Sequence, residues 1–125
     1  MERPASIAAF ERLFLGSVAI GPVQAAIGWA ALAARAATAQ LLIVLALVFF
    51  TLGGLALLVS RGRSRPAKWV LVLLCALGLP LLLASARDGT LVGSPALAFA
   101  QAALQVASLA LLFTAPARRW LAGGA

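Results

Sequence analysis

Residues 38–60 read TAQLLIVLALVFFTLGGLALLVS, a run without a single charged side chain. An α-helix rises about 1.5 Å per residue, so about 20 apolar residues cross a bilayer hydrocarbon core about 30 Å thick. Inside that core every backbone polar group needs an internal partner, which a helix provides. The run therefore predicts a membrane-spanning helix, and it makes the bilayer the solvent in which this chain folds.

Three further hydrophobic runs, 13–32, 67–85 and 95–113, lie on either side of this one, and short loops join the four. Of the 125 residues, 64% are hydrophobic and 10% are charged, and the mean hydropathy is +1.09. A soluble domain needs more polar surface than this composition supplies. We predict an all-α polytopic membrane protein, a single membrane domain over residues 1–125 whose four transmembrane helices form a compact bundle.

Local signals mark where several of these helices begin and end. Pro66 precedes the third span at a position where a missing N–H costs little, and Ser94 followed by Pro95 combines a helix cap with a first-turn proline. The Asp-Gly pair within residues 87–90 is typical of a tight turn. These signals favour helices with sharp starts and a short connection between the third and fourth spans.

The positive charges are distributed unevenly between the two sides of the predicted membrane. The formal net charge is +7. With four spans, one side receives both chain ends and the middle loop, and it carries eight Lys and Arg residues: Arg3, Arg12, Arg61, Arg63, Arg65, Lys68, Arg118 and Arg119. The other side receives two, Arg35 and Arg87. Short cytoplasmic loops are enriched in Lys and Arg, so this asymmetry predicts a multi-pass membrane protein with both termini in the cytoplasm.

Basic residues beside membrane spans also contact anionic lipid head groups. We expect this role, rather than nucleic-acid binding, for a group of six: Arg61, Arg63, Arg65, Lys68, Arg118 and Arg119. Tryptophan prefers the membrane interface, and the spans predict Trp69 and Trp120 on the cytoplasmic side with Trp29 on the opposite side.

The side chains that usually carry catalysis are scarce. The chain has no histidine, no tyrosine, one cysteine and three acidic residues. These numbers exclude histidine-ligated haem and a Ser–His nucleophile, and they leave no cluster of metal ligands within the predicted core. Cys75 lies inside an apolar run and is expected to be an inert packing residue. We expect no enzymatic activity, no metal and no cofactor.

The segment before span one contains the acidic residue nearest to the predicted core. Its apolar residues recur at helical spacing after Pro4, with Ser6 as a candidate cap, and the sequence leaves open one long helix or two pieces. Small multidrug-resistance transporters are four-span chains of similar length with a functional glutamate in the first span. Here Glu11 is followed by Arg12, so we interpret the two as an interfacial ion pair rather than a transport site.

Polar side chains inside the spans form the one ordered polar pattern. Gln101, Gln105 and Ser108 follow i, i+4, i+7 spacing and share a face of span four, and Gln24 is expected at a depth similar to that of Gln105. An unpaired amide in hydrocarbon is costly, so these side chains should face other helices. They are interpreted as hydrogen bonds between helices, with a polar lining for a solute or an oligomer interface as the alternative.

Small residues on span one offer a surface for close helix packing. Ser17, Gly21 and Ala25 form a small-xxx-small stripe beside Gln24, which predicts that span one packs against span four. Gly53-Gly54 in span two offers a second close approach. The apolar surface of span two is expected to meet lipid or a partner protein.

Parts of the second half resemble a broad group of small bacterial inner-membrane proteins with four predicted helices and no assigned function. The resemblance lies in residues 65–69, RPAKW, in LGLP at 77–80 and in LLFTAPARRW at 111–120. It implies a bacterial inner-membrane location and a four-helix fold, and it implies no activity and no functional residues.

Together these features predict a non-catalytic integral membrane subunit or accessory protein. Its expected partners are membrane lipids and either further copies of itself, as a homo-oligomer, or a larger inner-membrane complex. The alternative is a small oligomeric channel or transporter with a glutamine-lined path. That alternative lacks the buried ionisable group that usually couples transport.

Overall fold

A computed structural model describes residues 4–89 and 93–123, and within those ranges the protein contains helices and no strands. The helices are α1 Ala5–Ile27, α2 Trp29–Ala33, α3 Thr38–Ser60, α4 Arg65–Asp88, α5 Pro95–Leu111 and α6 Ala115–Ala122. Arg3, which belongs to the basic side of the predicted topology, lies outside the described residues. The prediction of an all-α fold is confirmed.

The first helix begins earlier than the predicted span. α1 is continuous from Ala5 to Ile27 and ends at Gly28, so the long-helix alternative is correct, and the bounds of this helix differ from those of the predicted span, 13–32. Ser6 does not cap it, because Pro4 occupies the cap position and the Ser6 hydroxyl has no hydrogen-bond partner within the described residues. The early start follows from packing, since Ile7 and Phe10 are fully buried.

The predicted start signals of α4 and α5 are confirmed, because Pro66 lies in the first turn of α4 and the Ser94 hydroxyl accepts from the Leu97 N–H at the start of α5. The cap of α4, which the sequence signals did not identify, is Ser64, whose hydroxyl accepts from the Ala67 N–H. α4 runs through Asp88 and ends at Gly89, whose φ of 71° is left-handed. The predicted turn at 87–90 therefore begins later than expected, and Thr90 lies outside the described residues.

Within the two described ranges, three helices are long and apolar enough to cross a membrane: α1, α3 and α4. α5 reaches that length only together with α6, and the two are bent by 68° at the break between them. The Thr114 hydroxyl donates to the Leu111 carbonyl at this break, and Pro116 lies in the first turn of α6. The described part of the chain therefore has three candidate membrane spans, or four if α5 and α6 form one bent span, as expected of a multi-pass membrane protein.

The long helices form a ring in the order α1, α3, α4, α5, in which the contact between α1 and α5 is the most extensive and that between α4 and α5 the least. The predicted packing of span one against span four is confirmed. Much of the apolar core lies at one end of the ring, where α6 folds back: Ile7, Phe10, Phe14, Val59, Leu71, Leu112, Trp120 and Leu121 are among its members.

Candidate functional site

Gln24 joins the end of α1 to the start of α5 through both atoms of its amide. Its Nε2 donates to the Ser94 carbonyl at 2.9 Å, and its Oε1 accepts from the Ser94 N–H at 2.8 Å. Ser94 precedes the first turn of α5, where backbone groups lack helical partners. The expectation that Gln24 lies at the depth of Gln105 is wrong, because α1 begins at Ala5 and Gln24 therefore lies close to its end.

Gly93 makes this contact possible. Its φ is +86°, a left-handed conformation that favours glycine. A Cβ atom at this position would lie 2.5 Å from Gln24 Oε1 and 2.9 Å from the Gln24 carbonyl oxygen. The close approach of α1 to the segment before α5 therefore requires a residue without a side chain.

Gln101 makes a second connection between the same two helices, nearer to their middles. Its Nε2 donates to the Ser17 carbonyl at 2.9 Å, while the Ser17 hydroxyl donates within α1 to the Phe14 carbonyl. Gly21 lies one turn along α1, where a Cβ would be in ordinary van der Waals contact with Gln101 Nε2 at 3.9 Å. Ser17 and Ala25 of the small-residue stripe are buried. The stripe thus lies at the α1–α5 contact.

The remaining residues of the polar face of α5 have different neighbours. The Cys75 thiol of α4 lies 3.9 Å from Gln105 Oε1, and the Ser108 hydroxyl donates within α5 to the Gln105 carbonyl. Gln101 and Gln105 both line a pocket of about 180 Å³ between α4 and α5, together with Gly78, Leu79, Leu82, Ala98 and Ala102. The polar face of α5 therefore divides between α1 and the gap next to α4.

Glu11 connects α1 to the end of α3. Its Oε1 accepts from the Ser60 hydroxyl and from Arg61 Nε, each at 3.0 Å, and its side chain is 11% exposed against 66% for Arg61. The sequence predicted Arg12 as the partner, whereas the ion pair in the structure crosses between helices. Adjacent residues of a helix do not face each other, while Arg61 approaches from the neighbouring helix. Glu11 is therefore a packed interhelical residue.

Trp120 fixes α6 against this same end of the ring. Its indole is buried, and its Nε1 donates to the Ser60 carbonyl at 3.2 Å. The Arg63 guanidinium lies 3.9 Å from the centroid of the Trp120 ring, and its Nη1 donates to the Gly123 carbonyl at 3.4 Å. The α3–α4 loop and α6 are thus held together, and two of the six expected head-group residues, Arg61 and Arg63, have partners within the chain.

The other basic residues of this end lie around α6. Arg65, Lys68 and Arg118 line a pocket of about 360 Å³ with Trp69, Leu121 and Ala122. Arg119 is exposed and is not among the residues that line the pocket. The structure therefore separates the predicted head-group residues into a paired set and a set that surrounds a cavity.

Within residues 4–89 and 93–123, no group of three or more His, Cys, Asp or Glu side chains could hold a metal ion. Comparison with protein-family models, with curated proteins and with solved structures gives no match for this chain.

Sequence reasoning missed the Glu11–Arg61 pair, the role of Gly93 and the burial of Trp120. A signal existed for the first two. The predicted topology already placed Glu11 and Arg61 on the same side of the membrane, and Gly93 directly precedes the Ser-Pro helix start. No local pattern distinguishes a buried interfacial tryptophan from an exposed one.

Proposed function

We propose that the chain is a non-catalytic integral membrane subunit of the bacterial inner membrane, which packs with itself or with a larger complex. The observation that carries this proposal is how the polar groups inside the ring are used. Gln24 and Gln101 bond to backbone atoms of the neighbouring helix, so these amides serve the packing of α1 against α5. Polar groups used in this way support an architectural role more than a solute path.

The outer face of α3 supports the proposal that a partner helix packs against this chain. It combines large and small residues at three- and four-residue spacing, which places them on one side of the helix: Ile43, Ala46, Leu47, Phe50, Thr51 and Gly54. All but Gly54 line a depression of about 410 Å³, and Phe50 is 73% exposed. A Cβ at Gly54 would meet nothing within 4 Å. Small residues at such a face let another helix approach closely.

The distribution of basic residues supports cytoplasmic termini. The contacts of Glu11 with Arg61 and of Arg63 with Trp120 bring the start of α1, the α3–α4 loop and α6 to one end of the ring. That end contains most of the described Lys and Arg residues, which favours the cytoplasmic side. A reporter that is active only outside the cytoplasm, fused after Ala125, should be inactive. Activity of that fusion would overturn the orientation.

The partner face is tested by a pair of matched substitutions. Gly54→Leu fills the outer face of α3 and should dissociate a partner helix, whereas fluid lipid would accommodate the new side chain. Gly16→Leu on α1 is the control, because Gly16 is also exposed and also has nothing within 4 Å of its Cβ position. The measurement is subunit number by native mass spectrometry in nanodiscs. We expect Gly54→Leu alone to reduce the number or to release co-purifying proteins.

Two results would contradict the proposal, and another would contradict only the assignment of the α3 face as the contact. A protein that is monomeric in nanodiscs and that co-purifies with no other membrane protein from native membranes is not a subunit. Equal effects of Gly54→Leu and Gly16→Leu would remove the α3 face as the contact. A pure oligomer that conducts a solute across liposomes, and loses conductance in a Gln105→Leu variant, would establish the channel alternative instead.

A further inference from the structure

We propose that Arg65, Lys68 and Arg118 form a discrete site for the phosphate of an anionic phospholipid. The site is the pocket of about 360 Å³ between the first two turns of α4 and the short helix α6. This inference depends on the presence of the chain in a membrane and is independent of whether the chain acts as a subunit.

Lys68 is the first reason to assign a ligand. The residue is only 7% exposed, and its ammonium group has no hydrogen bond or ion pair with any residue in 4–89 or 93–123. Its Nζ lies 4.3 Å from the centroid of the Phe113 ring and 5.1 Å from that of Trp69. The rings attract the ammonium by cation–π interaction, but they offer no oxygen or nitrogen acceptor for its N–H donors. The packed side chain and the two rings hold the ammonium at the pocket with its donors unused by the described residues, which is what an anion site requires.

The other basic residues that line the pocket with Lys68 are the second reason. Arg65 and Arg118 line the same pocket, and no acidic side chain is among the lining residues. Three positive charges around one cavity repel one another, and a phosphate would remove that repulsion while accepting from guanidinium and ammonium donors. By contrast, Arg61 has Glu11, and Arg63 has Trp120 and Gly123. The protein thus pairs some cations internally and leaves these three facing a cavity.

The apolar neighbours of the pocket identify the source of the phosphate. Trp69 and Phe113 are in edge-to-face contact with centroids 5.9 Å apart, and both are substantially exposed beside the basic groups. Leu121 adds a further apolar wall. Cations at the end of a membrane span with exposed aromatic surface next to them match a head group attached to acyl chains better than free phosphate.

The test measures lipid binding to the full chain by native mass spectrometry in mild detergent. The probes are phosphatidylglycerol, phosphatidylcholine with the same acyl chains, and inorganic phosphate. We expect one tightly bound phosphatidylglycerol per chain, at least tenfold tighter than phosphatidylcholine. Lys68→Met should weaken this binding at least tenfold, and Arg118→Gln severalfold. Arg119→Gln removes the same charge from the same end, outside the pocket, and should change the affinity less than twofold.

Arg118 is exposed, so Arg118→Gln keeps the proposal testable even if Lys68→Met fails to fold. Equal weakening by Arg118→Gln and Arg119→Gln would show that the binding is only diffuse attraction between a basic surface and anionic lipid, and would overturn the site. Phosphatidylcholine binding as tight as phosphatidylglycerol binding would overturn the anionic specificity. Inorganic phosphate bound as tightly as the lipid would overturn the lipid assignment. None of these outcomes depends on subunit number, so the proposed function is tested separately.

Discussion

α1 and α3 are both 23 residues long, yet they have opposite places in the molecule. α1 has the lower mean hydropathy, 1.3 against 2.9 in its most apolar window, and it is the more buried helix, with 33% of that window buried against 11% for α3. In water the more apolar helix would be inside. In a bilayer the apolar side chains of α3 can contact lipid, while the polar groups of α1 need hydrogen-bond partners within the protein. The comparison shows that the more polar of the two helices is the one that is buried in this fold.

The largest expected effect comes from adding one methyl group at a glycine that contacts α1, compared with adding one at a glycine of α3. Gly93→Ala places a side chain on a residue with a left-handed backbone, and the new methyl group clashes with Gln24 of α1. We therefore expect a loss of about 2–3 kcal/mol in the free energy of unfolding. Gly53→Ala on α3 meets nothing within 4 Å and should change it by less than about 1 kcal/mol. Unfolding in mixed detergent micelles measures both.

A similar effect for the two alanine variants would break the comparison, because it would mean that α1 and α3 are equally tolerant at their surfaces. A Gly93→Ala variant that is partly rescued by Gln24→Ala would sharpen it. Partial rescue would show that part of the cost arises at the Gln24 side chain, while the contact with the Gln24 carbonyl and the strain of the left-handed backbone remain.

The second effect is at Glu11, where α1 and α3 are joined by polar groups. Glu11→Ala removes the acceptor of the buried Ser60 hydroxyl and the partner of Arg61, and we expect a loss of about 1–2 kcal/mol. Arg61→Ala should cost less, because the Arg61 side chain is largely exposed, water can replace its guanidinium as a donor to Glu11, and the carboxylate keeps the Ser60 hydroxyl. Single and double variants of this pair in a double-mutant cycle give the coupling energy.

Arg12→Ala is the matched control for that cycle. Arg12 is exposed and adjacent to Glu11 in sequence, and it should change stability by less than about 0.5 kcal/mol without coupling to Glu11. Coupling of Glu11 to Arg12 that equals its coupling to Arg61 would restore the ion pair expected from sequence and contradict the interhelical one.

The fold could be predicted from sequence where the signal is local. The bounds 38–60 of α3 match those predicted, since the run has no charge and Arg61 follows it directly. The starts of α4 and α5 follow from Pro66 and Ser94, because caps and first-turn prolines act within one turn of helix. Short-range chemistry determines these positions, so a single sequence is enough to locate them.

The errors arise where the energy comes from distant residues. Glu11 and Arg12 lower the hydropathy of the first turns of α1, so the predicted span began after them. Arg61, fifty positions later, accommodates Glu11, and the helix extends back to Ala5. The mistaken depth of Gln24 has the same origin. The residue spacing predicts that the glutamines share one face of α5. It does not predict that this face divides between α1 and α4, because that division depends on the order of the helices around the ring.

The smallest expected effect separates the two halves of that glutamine face. Gln101→Leu removes a hydrogen bond to the Ser17 carbonyl of α1 and should cost about 0.6 kcal/mol, the average for such bonds between membrane helices. Gln105→Leu should weaken the fold less, because its contact within the described chain is with a thiol, a weak donor, at 3.9 Å. Both are measured by unfolding in mixed micelles. A larger loss for Gln105→Leu, found only in the assembled protein, would place a polar partner in the pocket between α4 and α5 and would favour the channel alternative.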